Sequence, residues 1–295
     1  MTYPNFFLVG APKCGTTTLA TWLSKTPACY FSPRKEPHFY TRHYKAHRYQ
    51  GYDQHDRNGY QRLFDDVQPH HKAIGEGSTH YLRSPDAILT ILQEHPAARF
   101  IACVRNPVDM ARSMHSHSVF WGNEHILDFE EAWRAQNDRR NGNRVRPWMK
   151  NSSSLVYGDL CSLGTQVKSL LGKASRDQVN IILMDDIKND PESTYHRTCS
   201  FLDITPADIS LAAENISRTK KSHLLQRIDL TCQHYSIGPS RIRNKLRRIN
   251  RRWNVSNAAP PGISKNFRKE LVEYFATEIN ILEEICQRDL SHWRS

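Results

Sequence analysis

The amino-acid sequence predicts an α/β fold in which a parallel sheet is flanked by helices on both faces, within a single domain over residues 1–295. Three observations carry this. Apolar runs without polar alternation recur along the chain, as in strands buried on both faces. Amphipathic stretches with helical spacing separate them. The 295 residues, 38% of them hydrophobic, suffice for one large core.

Phe6–Val9 is the first run, and it enters Gly10 directly. A short loop follows with Lys13, Cys14 and Gly15, then Thr16, Thr17 and Thr18, then Leu19, Trp22 and Leu23 at helical spacing. This reads as strand, tight loop, helix. Such a loop directs backbone N–H groups and the positive end of a helix dipole at one spot, which suits phosphate or sulfate. Gly10 and Gly15 keep the spacing of a nucleotide-binding G-x-x-x-x-G-K-[ST] loop, so the sheet is P-loop-like. Thr16 stands where that pattern has lysine, and the one lysine, Lys13, lies inside the loop. An ordinary strand–turn–helix junction with glycine for packing is the competing reading.

Further strands are expected at Ala28–Phe31, Lys72–Gly75, Arg99–Val104 and Val179–Met184. Helices are expected at Pro85–Glu94, Pro107–Val119, Phe129–Gln136, Ser153–Leu171, Pro191–Phe201 and Lys265–Arg288. Arg139–Pro147 reads as a mobile basic loop. Ligands of parallel sheets bind beyond the carboxyl ends of the strands. The loops after Val9, Gly75 and Val104 therefore converge on one cleft.

Net charge is +11, from 41 Lys and Arg against 30 Asp and Glu, which favours an anionic partner. The run Arg241–Trp253 is an amphipathic basic helix with a narrow stripe of Ile242, Leu246, Ile249 and Trp253. It reads as the solvated face of a packed helix, or as a rim drawing an anionic cofactor inward. No common nucleic-acid motif accompanies it, so no nucleic-acid partner is expected. No apolar run approaches the roughly 20 residues of a membrane span. The start MTYPNFF lacks the features of a signal peptide, and the cytoplasm is the expected location. Seven scattered cysteines without a C-x-x-C pair predict neither a disulfide framework nor a zinc site. Sequons beginning at Asn151, Asn215 and Asn254 are read as chance.

In CVRNPVDMARSMHSH, Arg105 stands at the tip of a buried strand, Pro107 opens a helix, and Ser113 lies about two turns further on. A guanidinium and a hydroxyl so spaced suit one phosphate. SPRKEPHFY (Ser32 to Tyr40) and GEGSTHYL (Gly75 to Leu82) are the other segments with clustered chemistry. By residue type alone, Glu36 there reads as a surface partner of Lys35 or Arg34.

Together these segments resemble the sulfotransferases that use 3′-phosphoadenosine-5′-phosphosulfate (PAPS), of the carbohydrate and bacterial type, over nearly the whole chain. The resemblance implies a 5′-phosphosulfate loop made of Lys13, Cys14, Gly15, Thr16, Thr17 and Thr18. It implies a 3′-phosphate site at Arg105 and Ser113, and a cofactor contact at Tyr157. Glu36 stands where the family has its base. His38 is an alternative base, or orients Glu36. Glu76, Ser78, His80 and His115 are the expected acceptor contacts. The implied reaction moves a sulfuryl group from PAPS to a small polar acceptor, leaving adenosine 3′,5′-bisphosphate, with no metal. Gly77 replaces a family lysine, for which Lys72 or a C-terminal arginine is the expected substitute. Arg247, Arg248, Arg251 and Arg252 are candidates to close over the cofactor. The rivals are a P-loop kinase using Asp186 for magnesium, and a non-enzymatic nucleic-acid-binding protein.

Overall fold

The apolar strands gather into one sheet. In a computed structural model that describes residues 3–41, 56–147, 149, 152–212, 219–256 and 262–295, the chain runs β1 (Phe6–Gly10), α1 (Thr16–Ser24), β2 (Cys29–Phe31), α2 (Arg57–Gln61), β3 (Ala73–Gly77), α3 (Pro85–Glu94) and β4 (Arg99–Val104). Next come α4 (Pro107–Trp121), α5 (Phe129–Arg134), α6 (Gln136–Arg140), α7 (Tyr157–Leu160), α8 (Leu163–Leu171), β5 (Val179–Leu183), α9 (Met184–Asn189) and α10 (Pro191–Phe201). α11 (His223–His234), α12 (Ser240–Arg252), α13 (Lys265–Tyr274) and α14 (Ala276–Cys286) complete it. The sequons at Asn151 and Asn215 lie outside the described residues.

The described chain forms two compact units. The first comprises Met1–Pro107, Ser162–Asn215 and Ala276–Ser295; the second comprises Val108–Cys161 and Ile216–Phe275. All five strands belong to the first, parallel and in the order β2-β3-β1-β4-β5. β1 is buried at every position and takes the centre, as its unbroken apolar sequence demands. Phe7 pairs in register with Glu76 on one side and Phe100 on the other.

The connection from β1 to β2 leaves in one direction across the sheet, and that from β3 to β4 in the other. Right-handed crossovers therefore place α1 and α3 on opposite faces. On the α1 face Trp22 meets Tyr195 of α10 edge-on at 6.5 Å, and Thr26 Oγ1 lies 2.9 Å from the Tyr195 hydroxyl. On the other face α8 packs against α3 and α14. Because chain connections diverge between β1 and β4, their carboxyl ends form the topological switch point where such sheets take ligands.

Several expected elements are cut differently. The helix expected over Ser153–Leu171 is interrupted, with α7 and α8 flanking Cys161 and Ser162. Near its start the Gly158 N–H donates to Gln136 Oε1 at 2.5 Å, a side chain taking the place of a helical acceptor. Lys265–Arg288 breaks at Phe275, whose ring is fully buried against Trp133 at a backbone φ of −91° and ψ of 6°. Burial of that ring outweighs local helix propensity. Arg139, expected in a mobile loop, lies in the last turn of α6 and is fully buried. Met184 opens α9 rather than ending β5. α11 has a readable cap, since Ser222 Oγ accepts from Leu225 N–H at 3.2 Å, yet its mixed composition hid it.

Candidate functional site

The loop after β1 is built around glycines that nothing else fits. A Cβ on Gly10 would stand 2.7 Å from the Thr79 carbonyl oxygen, and one on Gly15 would stand 2.8 Å from Ile187 Cδ1. Gly15 is also the N-cap of α1 with φ 86°, a left-handed value that favours glycine. It has no side chain to cap α1, whose start is left uncapped. A helix end of this kind favours an anion.

Lys13 and Arg105 flank this end. Ala11 N–H donates to the Cys103 carbonyl at 2.7 Å, tying the loop to the end of β4, and Arg105 Nη1 donates to the Lys13 carbonyl at 3.3 Å. Among the described residues neither the Lys13 ammonium nor the Arg105 guanidinium has a carboxylate partner. Burial, then the positive charges of Arg105 and Lys35, pull the Lys13 pKa down. Cations held together without acids are a costly arrangement that an anion would relieve. Thr16 and Thr18 are buried and Thr17 half-buried. Cys14 points inward, and burial pushes its thiol up to about 12.

The segment after β2 brings a carboxylate beside the same strand ends. Glu36 N–H donates to the Gly77 carbonyl at 2.7 Å, and His38 N–H to Ser78 Oγ at 2.9 Å. Glu36 Oε2 lies 3.1 Å from His38 Nε2 and accepts from Thr79 Oγ1 at 3.1 Å; Oε1 lies 3.1 Å from Lys35 Nζ. Burial by itself would raise the Glu36 pKa. The His38 hydrogen bond and the charges of Lys35, His38 and His80 outweigh it, and the carboxyl sits well below the usual range. The Glu36 side chain is 34% exposed whereas that of His38 is 4% exposed, so Glu36 is the member of the pair that solvent reaches. Lys13, Glu36 and His38 all hold positive φ (63°, 67° and 54°). Left-handed backbone at non-glycine residues costs about 1–3 kcal/mol each and gathers at functional sites.

Glu76 and Ser78, expected as acceptor contacts, are fully buried behind this turn. Ser78 Oγ donates to Glu76 Oε2 at 2.8 Å while accepting from His38 N–H, so Glu76 supports the His38 backbone through one hydroxyl. Burial lifts the Glu76 pKa to about 7 against the hydrogen bonds of Tyr81, Ser78 and Tyr60. His80 is nearly buried, its ring 5.4 Å from that of His38. Lys72 precedes β3 and so lies at the opposite end of that strand from Ser78, which corrects its expected role as substitute for the lysine missing at Gly77. A Cβ at Gly77 would come within 3.0 Å of Phe31 Cζ. Lys35, paired with Glu36, lies near enough to the loop for its charge to act on Lys13. Thr79 was missed by sequence reasoning, although its place between Ser78 and His80 at a strand end was the available signal.

The remaining expected residues belong to the second unit. Ser113 is half-buried on α4. Tyr157 is fully buried; its hydroxyl donates to Glu124 Oε2 at 2.9 Å, and the Arg139 guanidinium lies 5.7 Å from its ring centroid. Arg139 Nη2 meets Glu124 Oε2 at 2.6 Å with both side chains fully buried. His115 is buried with Nε2 2.9 Å from the Ile126 carbonyl oxygen, packed on Phe129 and Tyr157. A cavity of about 200 Å³ in this unit is lined by polar side chains, among them Glu124, Arg146 and Arg227, and by Leu127 and Leu224.

Asp186, the magnesium ligand of the kinase reading, is occupied: Arg288 Nη1 lies 2.7 Å from both of its oxygens. Among the described residues no cluster of three or more His, Cys, Asp or Glu is arranged to hold a metal. No described helix is long and apolar enough to cross a membrane.

Comparison with known proteins places this geometry. Residues 3–276 match the sulfotransferase domain family, and the chain belongs to it. A sulfotransferase from Alicyclobacillus acidocaldarius, 27% identical, superposes over 100% of both chains with a TM-score of 0.74. The membrane-associated sulfotransferase kil1 of Dictyostelium discoideum is 29% identical over 118 residues, 40% of this chain and 24% of that protein. Carbohydrate sulfotransferase 15 of Homo sapiens is 51% identical over 39 residues, 13% of this chain and 7% of that protein. The matched segments thus span a quarter or less of these two curated relatives. The P-loop-like parallel sheet with flanking helices, expected from the sequence, is the fold of this family member.

Proposed function

We propose that this chain transfers a sulfuryl group from PAPS to a hydroxyl, or less commonly an amine, of a small polar acceptor such as a sugar or natural product. One observation carries the reading. Lys13 and Arg105, without carboxylate partners among the described residues, stand with the uncapped start of α1 at the ends of two adjacent central strands, beside a solvent-reached carboxylate. A phosphate-bearing donor fits such an end, and the close-fitting glycines leave its backbone free to approach.

PAPS supplies the group in transit: its S–O bond to phosphate breaks as an S–O bond to the acceptor forms. Lys13 and the N–H groups of Gly15, Thr16 and Thr17 bear on the charge left on the phosphate, fixed in advance by the loop. Lys35 adds positive charge that Gly77 cannot provide. Arg105 holds a terminal phosphate by its two-pronged guanidinium. Glu36 accepts the acceptor's proton, since it is the exposed member of its pair. His38 steadies it from the buried side and spreads the charge. A carbohydrate sulfotransferase among the relatives supports a sugar-like acceptor.

The test is incubation of the purified chain with radiolabelled PAPS and a metabolite extract, with Lys13→Ala alongside. The expected result is label in a small polar product with wild type and its near-complete loss in the variant. Equal transfer by both proteins would refute the reading, as would turnover of ATP with magnesium in place of PAPS.

A further inference from the structure

α12 packs with the wrong face for an ordinary amphipathic helix. Its seam with α11 is polar. Gln233 Nε2 donates to the Arg243 carbonyl at 2.8 Å, Arg247 Nη2 to Gln233 Oε1 at 2.6 Å, and Asn250 Nδ2 to Asp229 Oδ2 at 2.7 Å. Of the apolar stripe read from the sequence, Leu246 is half-buried and the other three members are left in water. Ile242 is 62% exposed, Ile249 36% and Trp253 67%. Steps of seven and four put these three on one helical face. On α11, Leu224 and Ile228, four residues apart, are exposed as well. Arg241, Lys245, Arg248 and Arg252 are exposed, as expected of the solvated face of a packed helix, but most of the apolar stripe is exposed with them. Single exposed apolar residues need no explanation, but a periodic stripe on one hairpin does.

Charge identifies the occupant. The 13 residues of α12 carry Arg241, Arg243, Lys245, Arg247, Arg248, Arg251 and Arg252, and no Asp or Glu. A nucleic-acid backbone would satisfy the cations and leave the isoleucines and Trp253 in water. A bilayer of anionic lipids takes both, with apolar side chains among the upper acyl groups and guanidinium groups at the phosphates. Tryptophan suits that boundary, one end apolar and the other polar. We propose that the α11–α12 hairpin docks this protein on an anionic lipid surface, with α12 lying in the plane of the interface on Ile242, Ile249 and Trp253. Such docking requires no membrane span, and it is independent of the sulfuryl-transfer reading.

The test is flotation of the full chain with phosphatidylcholine vesicles, with and without phosphatidylserine, beside binding to a duplex oligonucleotide. Wild type should float with the anionic vesicles and bind the neutral ones at least about tenfold less. Ile242→Ser with Trp253→Ser should weaken anionic-vesicle binding about tenfold or more. Arg248→Ala with Arg252→Ala, which spares the apolar stripe should the first variant misfold, should weaken it about tenfold or more. Equal binding to both vesicle types would overturn the proposal. So would wild-type flotation of the correctly folded apolar variant, or tight oligonucleotide binding without flotation.

Discussion

The two units of this protein each hold a cluster of charges out of bulk water, and they treat them oppositely. In the second unit Glu124 is answered on all sides: Arg139 at 2.6 Å, the Tyr157 hydroxyl at 2.9 Å, and the N–H groups of His125 and Ile126. In the first, Lys13 and Arg105 sit together with no carboxylate partner among the described residues, and Glu36 keeps an exposed edge. A carboxylate with both oxygens answered marks a cluster that holds the fold. An incomplete one marks a place where something else completes it. The cost of the incomplete cluster is carried as strained backbone and a depressed lysine pKa, the kind of penalty kept where function needs it.

The contrast breaks first at Glu36 and Lys13. Glu36→Gln should lower kcat about 10²–10⁴-fold by removing the base. Lys13→Ala should cost turnover about 10³-fold, yet leave the melting temperature unchanged or slightly higher, because it removes an unpaired buried charge. A large fall in melting temperature for Lys13→Ala would show that the loop is structural. Glu124→Gln should do the reverse. Leaving Arg139 buried without its carboxylate costs about 3–5 kcal/mol, read as a lower denaturation midpoint. A midpoint near wild type would dissolve the comparison.

Glu76 sharpens it. Folding raises this carboxyl from 4.5 to about 7, so between those values the folded state binds more protons than the unfolded one. The group's contribution to stability is full below pH 4.5 and is lost as pH rises through 7. Relative to Glu76→Gln, which cannot titrate, wild type should therefore lose up to about 3 kcal/mol across that window, measured by denaturation at several pH values. A pH-independent difference would remove Glu76 from the buried support of His38.

Much of this was legible in the sequence because the physics is local. Phe6–Val9 can only be a central strand, and Gly10 and Gly15 announce a loop that backbone must approach closely. Glu36 and His38 stood out by their neighbours. What the sequence could not carry was pairing. Arg139 and Arg105 look alike on the page, yet one is sealed against Glu124 and the other is left open, a difference made by contacts well beyond its neighbours in sequence. Tyr157 and His115 joined the expected site for the same reason, and the structure sets both in a buried aromatic cluster. The stripe of α12 was read correctly, but its direction was not, since only tertiary packing decides which face meets α11. The helix breaks near Ser162 and at Phe275 likewise follow from packing that no local propensity records.

The central claim is that Lys13 and Arg105 grip one phosphorylated nucleotide. Calorimetric titration with adenosine 3′,5′-bisphosphate, without magnesium, tests it most directly. Wild type should bind, and Arg105→Ala should weaken binding about 10–100-fold by loss of a charge-assisted pair. Lys13→Ala should also bind more weakly. No heat of binding to wild type, or equal affinity in all three proteins, would contradict the account.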